Sequence, residues 1–241
     1  MAAAAIFAAV ALPAGAQFVP DMRSTTQFRV CADPANAPMS MQDGSGFENR
    51  LAKLIADKMG LPVAYTWFPS GMGFITRTLR AGNCDVVMGY AQGDELVQNT
   101  SHYYTSVYGI VAGTPPASIL ARAGMAKDMC GVDLFVDHRV EDPIGGLLDQ
   151  VRSGDLAAAV IWGPVAGPRI KGDADLQFTP LLKETSGPRM YYRITMGVRQ
   201  PEQEFKRELN SIIRRDQDEI TSLLRDAGVP LTDDYGREML P

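Results

Sequence analysis

The amino-acid sequence predicts an α/β protein of two lobes, each with its own mixed, mostly parallel sheet, and three observations support this prediction. Short apolar runs typical of buried strands alternate with segments of helical periodicity. Two such strand–helix series follow each other, and two extended segments, 103–111 and 190–198, separate and close them. The length of 241 residues is sufficient for two lobes with one core each. Alternation of strands and helices predicts parallel pairing through right-handed crossovers.

Composition and charge exclude some classes of function. The chain is 46% hydrophobic and 21% charged, which is ordinary for a globular protein. A net charge of −5 offers no basic face to a nucleic acid. No apolar run after the first residues reaches the length that spans a bilayer, so no membrane insertion is expected.

Residues 1–16 predict a signal peptide that is not part of the fold. They form a small, apolar run that ends in Ala14-Gly15-Ala16, a pattern typical of a cleavage site. The run lacks the positively charged residues that usually open such a peptide, which suggests a translation start upstream of Met1. Residues 17–27 would then be an N-terminal extension of a protein exported to the periplasm.

The first strand–helix series contains two helices between three strands. Its elements are, in order, a strand at 28–32, a helix at 47–59, a strand at 63–68, a short helix at 74–79 and a strand at 85–88. Ser45 and Glu48 have the spacing of a capping box, in which each side chain binds a backbone N–H of the other residue. Gly60 ends this helix.

The second series repeats the pattern with more helices. Its elements are a helix opened by Thr114-Pro115-Pro116, a strand at 132–136, a helix from Asp142-Pro143 to Gly154, a strand at 157–162 stopped by Gly163-Pro164, and two closing helices between Pro201 and Gly228. A cleft between two such lobes is a common site for a small ligand, and it closes by hinge motion.

Export makes the three cysteines candidates for oxidation. Cys31 ends one predicted strand and Cys84 begins another, so a disulfide joins them if the two strands are neighbours. A parallel register could instead place the two residues too far apart. Cys130 would then remain free. Two histidines and no close pair of cysteines predict no zinc site.

Seven residues are candidates for the wall of the cleft: Asp33, Phe47, Glu48, Trp67, Gly89, Tyr90 and Trp162. Asp33 follows the first strand, where α/β sheets bind ligands, although a turn before proline explains it more simply. Glu48 is explained more simply as a capping carboxylate. Gly89 permits close backbone approach but is also an ordinary loop residue. Two of the four aromatic residues are expected to belong to the core.

The sequence contains no arrangement of residues that indicates catalysis. A glycine-rich phosphate loop, a nucleophile elbow and a serine, cysteine or histidine arrangement for nucleophilic attack are all missing from it. No two carboxylates are placed for acid–base chemistry. We therefore expect a protein that is not an enzyme and that uses no cofactor or metal.

Seven short motifs carry a resemblance to a known family. They are Cys31-Ala32-Asp33-Pro34, Gly46-Phe47-Glu48-Asn49, Tyr65-Thr66-Trp67, Gly73-Phe74, Leu79-Arg80-Ala81-Gly82, Cys84-Asp85-Val86-Val87 and Val160-Ile161-Trp162-Gly163-Pro164. In this order and spacing they resemble type II periplasmic solute-binding proteins. More narrowly, they resemble the MxaJ/XoxJ-like accessory proteins found with quinoprotein (PQQ) methanol dehydrogenases.

The resemblance implies a two-lobed fold with an interlobe cleft, in which lobe I contains residues 28–105 and 195–241 and lobe II contains 106–194. It implies a non-catalytic periplasmic protein that assists the activation, maturation or electron-transfer coupling of a PQQ-dependent methanol dehydrogenase. The partners would be the dehydrogenase, its c-type cytochrome or both, with a small molecule in the cleft. The alternative is the substrate-binding receptor of an ABC transporter for a small uncharged or cofactor-like solute.

The sequence departs from amino-acid-binding relatives in two respects. Those relatives place an arginine after the third strand and an aspartate near the end of a second-lobe strand, to hold the two charges of an amino acid. Residues 89–98 contain no arginine or lysine, and the second-lobe strand ends without an aspartate. The segment between Val111 and Thr114 is also short. Either lobe II lacks one strand, or the chain is a shortened version of a longer protein.

Overall fold

A computed structural model of the protein describes residues 22–110, 124, 131–134, 136–156, 158–184 and 188–241. The strands of this part of the chain are β1 (Phe28–Ala32), β2 (Ala35–Asn36), β3 (Ser40–Met41), β4 (Val63–Trp67), β5 (Val86–Ala91), β6 (Gln98–Asn99), β7 (Tyr104–Ile110), β8 (Val160–Trp162) and β9 (Tyr191–Val198). The helices are α1 (Phe47–Met59), α2 (Phe74–Arg77), α3 (Pro143–Ser153), α4 (Gly163–Ile170), α5 (Gln203–Arg215) and α6 (Gln217–Ala227). The predicted signal peptide, the segment between Val111 and Thr114, the helix that follows it and Cys130 lie outside the described residues.

A mixed sheet passes through both lobes, with the strand order β4-β1-β5-β9-β7-β8 and with β6 also paired to β9. As predicted, β1 pairs in parallel with β4 and β5. The remaining ladders of this sheet among the described residues are antiparallel, because β9 returns between β5 and β7. Because β1, β4 and β5 are parallel, their carboxyl ends lie at the same edge of the sheet.

Two long neighbouring strands connect the lobes. β7 pairs with β9 from Tyr104 to Val107, and its second half pairs with β8, with Tyr108 opposite Trp162. These strands coincide with the two extended segments that the sequence predicts as crossing points. The residues at which lobe I gives way to lobe II stay a prediction.

Each lobe buries its own apolar cluster. In lobe I, α1, α5 and α6 contribute fully buried side chains such as Leu51, Leu209 and Ile220 to one cluster with β1, β5 and β9. In lobe II, Ile144 and Leu147 of α3 pack against Ile161 of β8. Removal of this apolar surface from water is the main favourable contribution to folding.

The ends of the long helices confirm the sequence signals for them. Gly60, Gly154 and Gly228 all adopt the left-handed backbone conformation directly after α1, α3 and α6. Glycine adopts this conformation at no steric cost, because it has no Cβ atom. Asp142 caps α3, since its Oδ1 accepts a hydrogen bond of 3.1 Å from the N–H of Gly145.

The predicted capping box at the start of α1 is wrong. Gly46 is the N-cap, without a side-chain cap, and Ser45 Oγ donates to Asp43 instead. The N–H groups of Phe47 and Glu48 donate to two backbone carbonyls of the preceding loop, at 3.0 and 2.9 Å. Because these carbonyls already satisfy the first turn of the helix, the Glu48 side chain is free for a different role.

Two predictions for lobe II need correction. The described residues 132–134 and 136 form no strand, and β8 covers only the end of the predicted strand at 157–162. As predicted, the strand ends before Gly163-Pro164, and these two residues begin α4. Proline suits the first turn of a helix, where its missing N–H would have no partner within the helix.

The structure confirms a disulfide between Cys31 and Cys84. The two Cα atoms are 5.4 Å apart, and both residues are buried. The parallel register sets Cys31 opposite Val87, and the backbone just before β5 nevertheless brings Cys84 within disulfide distance of Cys31. The bridge packs against Ile75 and Leu79 in a small apolar cluster.

Among the described residues, no helix combines the length and the apolar character needed to cross a membrane.

Candidate functional site

A cavity of about 330 Å³ lies in lobe I at the carboxyl ends of β1 and β5. Four of the seven predicted cleft residues line it: Asp33, Glu48, Gly89 and Tyr90. They come together because β1 and β5 are parallel neighbours, and because α1 begins at the same edge. In α/β sheets, this edge is the usual place for a ligand.

Asp33 lines the cavity, but backbone groups occupy its carboxylate. Oδ1 accepts a hydrogen bond of 2.8 Å from the N–H of Ala35, and Oδ2 accepts one from the N–H of Ser70. The residue is only 4% exposed. Asp33 therefore connects two loops of the wall, and each of its oxygens already has a backbone donor.

Glu48 is also buried, but its carboxylate differs from that of Asp33 in its hydrogen bonds. It is 8% exposed, and its Oε1 has no hydrogen-bond partner among the described residues. Burial raises the pKa of Glu48 to about 7, because the charged carboxylate loses the hydration it has in water. A buried carboxylate without a partner is costly for folding, so the residue needs an explanation other than stability.

Gly89 makes room for the Glu48 side chain. A Cβ atom at position 89 would lie 1.8 Å from Glu48 Oε1, and the φ angle of +65° also favours glycine. Its N–H donates a hydrogen bond of 2.9 Å to Tyr103 Oη. The register of β5 against β9 shifts at this point, between Val87 and Tyr90. The irregularity of the strand thus places glycine against the carboxylate.

Tyr90 closes one side of the cavity. Its hydroxyl donates to Asp94 Oδ2 at 2.8 Å. Burial, together with the neighbouring Asp94, raises the pKa of Tyr90 above its ordinary value, so the phenol stays neutral. Tyr90 therefore presents an aromatic surface with a fixed hydroxyl.

The described residues that line the cavity include two carboxylates and no arginine, lysine or histidine. Among all the described residues, no group of three or more histidine, cysteine or acidic side chains is arranged to hold a metal ion. The arrangement can accept hydrogen bonds from a ligand or attract positive charge. It offers no cation to a ligand carboxylate.

The other three predicted residues lie elsewhere. Phe47 is buried in the core of lobe I, and Trp67 stacks on Tyr65 with ring centroids 4.5 Å apart. Trp162 lines a second cavity of about 230 Å³ with Tyr108, whose ring centroid is 4.6 Å away. Alternation along a strand indicates which side chains share a face, but it does not tell which face borders a cavity.

The second cavity contains two residues that sequence reasoning missed. Asn36 of lobe I lines both cavities, so the two adjoin at this residue. Arg169 of α4 donates to Asp142 at 2.7 Å, and to the carbonyl of Ala37 in lobe I at 2.9 Å. This arginine therefore joins the lobes at the cleft. No local pattern around Arg169 indicates a contact across 132 residues.

Comparison with known proteins agrees with this geometry. The family model described as "Bacterial extracellular solute-binding proteins, family 3" matches residues 28–224. Protein MoxJ of Methylorubrum extorquens is 27% identical over 282 residues, which cover 95% of this chain and 92% of MoxJ.

Two solved structures show a similar fold over most of the chain. The crystal structure of MxaJ from Methlophaga aminisulfidivorans MPT has a TM-score of 0.72 at 25% identity, and covers 86% of this chain and 100% of MxaJ. The periplasmic binding protein XoxJ from Methylobacterium extorquens AM1 has a TM-score of 0.68 at 28% identity, with the same coverage. The chain is thus similar to the MxaJ/XoxJ-like subgroup, and it belongs to family 3 of the bacterial extracellular solute-binding proteins.

Proposed function

We propose that the chain is a non-catalytic periplasmic accessory protein of a PQQ-dependent methanol dehydrogenase system. It would assist the activation, maturation or electron-transfer coupling of the dehydrogenase, in contact with that enzyme or its c-type cytochrome. The observation that carries this proposal is the similarity to MoxJ, MxaJ and XoxJ, which extends over 95%, 86% and 86% of the chain. The proposed location follows from the extracellular family and from the predicted signal peptide at 1–16.

The lining of the lobe I cavity is more compatible with an accessory role than with the uptake of ordinary amino acids. A zwitterionic amino acid needs a cation for its carboxylate, and no described residue of the cavity wall supplies one. An unpaired carboxylate in a buried site loses its hydration without compensation. The binding-protein fold would thus serve a different ligand or a protein partner.

The second candidate function is the substrate-binding receptor of an ABC transporter, for a small solute other than an ordinary amino acid. The presence of the cavity favours this candidate. Its volume of about 330 Å³ is at the lower end of the range of small-molecule sites. Neighbouring genes distinguish the two functions. A dehydrogenase and a cytochrome beside this gene would favour the accessory role, whereas a permease with an ATPase would favour the receptor.

We propose that lobe I contains residues 28–105 and 195–241, that lobe II contains 106–194, and that the hinge lies in β7 and β9. The antiparallel ladder between these strands supports this division, since it connects the two lobes. The alignment with MoxJ extends over 282 residues, more than the 241 of this chain. This difference supports the proposal that the chain lacks a segment that MoxJ contains.

A reconstitution experiment tests the accessory role. The purified chain is added to a PQQ-dependent methanol dehydrogenase and its c-type cytochrome, and the initial rate of cytochrome reduction by methanol is measured. We expect the chain to raise the rate and to retain the dehydrogenase or the cytochrome in a pull-down from periplasm. An amino-acid-binding protein of the same family serves as the control. Neither stimulation nor retention with cognate partners would refute the proposal.

A further inference from the structure

We propose that the lobe I cavity binds a small organic cation without a carboxylate group, and that Glu48 is the anchor for its positively charged end. This inference extends the proposed function. It rests on that function in one respect, namely that the cleft of the binding protein still binds a ligand.

The charge of the cavity wall determines the sign of the ligand. Asp33 and Glu48 are the charged side chains among the described lining residues, and both are acidic. Arg139 lies outside the wall and interacts electrostatically with Asp33, but its guanidinium is paired with Asp137 at 2.6 Å. A ligand with a negative charge would therefore enter a site of like charge, which disfavours binding.

The two acidic residues differ in what they can still bind. Both oxygens of Asp33 accept hydrogen bonds from backbone N–H groups of the wall. Oε1 of Glu48 has no partner among the described residues, although the residue is more than nine-tenths buried. Glu48 lines the cavity, and a ligand ammonium or guanidinium group there would supply the charge partner that its carboxylate lacks; such charge-assisted interactions are the strong ones.

The rest of the wall fits an organic group better than a hydrated metal ion. The side chains of Phe74, Ile75 and Leu96 border the cavity, as does the ring of Tyr90. Aliphatic and aromatic surface suits the carbon part of an amine, and an aromatic ring attracts a nearby cation. A hard metal ion instead needs several oxygen ligands, and no such cluster is present among the described residues.

Calorimetric titration of the purified full chain with ethylammonium chloride tests the inference. The matched titrants are sodium chloride for ionic strength, glycine for a ligand with a carboxylate, and ethanol for a neutral ligand of similar size. We expect saturable binding of ethylammonium and no binding of the other three. In Glu48→Gln the affinity for ethylammonium should fall at least about tenfold, since the charge of the anchor is lost.

Glu141→Gln is the matched control, because it removes the same charge from an exposed position of lobe II. Equal binding of sodium and ethylammonium would overturn the inference, as would unchanged affinity in Glu48→Gln or binding of glycine alone. We expect Glu48→Gln to fold, because the change removes a buried charge and keeps the shape of the side chain. Stimulation of the dehydrogenase without any ethylammonium binding would refute this inference and leave the accessory role intact, and the reverse result would refute only the accessory role.

Discussion

Two of the buried carboxylates of lobe I, Asp85 and Glu48, differ in almost every contact. Asp85 is 2% exposed and Glu48 is 8% exposed, and both belong to the part of the lobe built on β1 and β5. Asp85 Oδ1 accepts hydrogen bonds of 2.6 Å from both Arg29 and Arg199. Its Oδ2 accepts from Arg29 Nε at 2.8 Å and from the N–H of Ser24 at 3.0 Å. Glu48 Oε1 accepts no hydrogen bond from the described residues.

This difference separates a paired structural charge from an unpaired one beside a cavity. The Asp85 cluster joins β1, the start of β5 and the end of β9, because Arg199 also donates to the carbonyls of Leu79 and Cys84. Complete pairing offsets the cost of burying these charges. Glu48 has no such compensation in the described structure, and it lines a cavity.

Arg199→Met should cause the largest loss of stability. The variant leaves Asp85 and Glu202 buried without their shared guanidinium, and removal of one partner from a buried ion pair typically costs about 3–5 kcal/mol. Urea unfolding at pH 7 measures the free energy of unfolding. Arg207→Met is the control, because Arg207 pairs with Glu204 on the surface, where its side chain is 66% exposed. Equal losses in the two variants would show that burial of the pair is unimportant.

Glu48→Gln should stabilise the protein near neutral pH, whereas Arg199→Met destabilises it. The folded-state pKa of about 7 lies above the ordinary value of 4.5, so the native protein holds a proton that the unfolded chain releases. The stabilisation by Glu48 is complete below pH 4.5 and is lost as the pH rises through about 7. Without ligand, the variant should therefore gain about 2–3 kcal/mol on the wild type between these two pH values.

Urea unfolding of both proteins between pH 4 and 8 measures this difference. Tyr65, Tyr103 and Tyr104 interact electrostatically with Glu48, but burial raises the pKa of all three, so they stay neutral in this range. A constant difference between variant and wild type would mean that Glu48 is hydrated or paired in solution. Glu141→Gln should show no such dependence.

Gly89→Ala should couple to Glu48. The added Cβ would collide with Glu48 Oε1, and alanine is also strained at a φ of +65°. In a Glu48→Ala background only the backbone strain remains, so the cost of Gly89→Ala should be smaller there by about 1 kcal/mol. A double-mutant cycle measured by thermal unfolding gives this value. A coupling of zero would place the Glu48 carboxylate away from Gly89.

Asp57→Asn should have the smallest effect. Asp57 lies on α1 with Glu48, but it is exposed and pairs with Lys53 one turn away at 2.8 Å. Exposed pairs at this spacing contribute about 0.5 kcal/mol or less, and salt screens them. Urea unfolding at low and high ionic strength checks this. A loss comparable to that of Arg199→Met would indicate that the charge, and not its burial, determines the effect.

Local patterns in the sequence were sufficient for much of lobe I. Alternation of strands and helices predicted parallel pairing of β1, β4 and β5, and glycines marked the ends of the long helices. The pairing of Cys31 with Cys84 could be expected only as one of two outcomes, because the register of two strands depends on how the intervening helices pack. For lobe II the same patterns predicted a strand at 132–136 that the described residues do not form.

Residue types and their spacing over a few turns were enough to predict the α/β pattern, the lack of arginine and lysine in residues 89–98, and the family. The position of Glu48, against Gly89 and beside the cavity, is visible only in the folded chain. From its spacing to Ser45 the residue is an ordinary capping carboxylate. The carbonyls of Pro38 and Met39 satisfy the first turn of α1, and Gly89 of β5 receives the side chain. The two carbonyls belong to the loop before α1 and Gly89 belongs to a strand far along the chain, and the positions of both follow from packing.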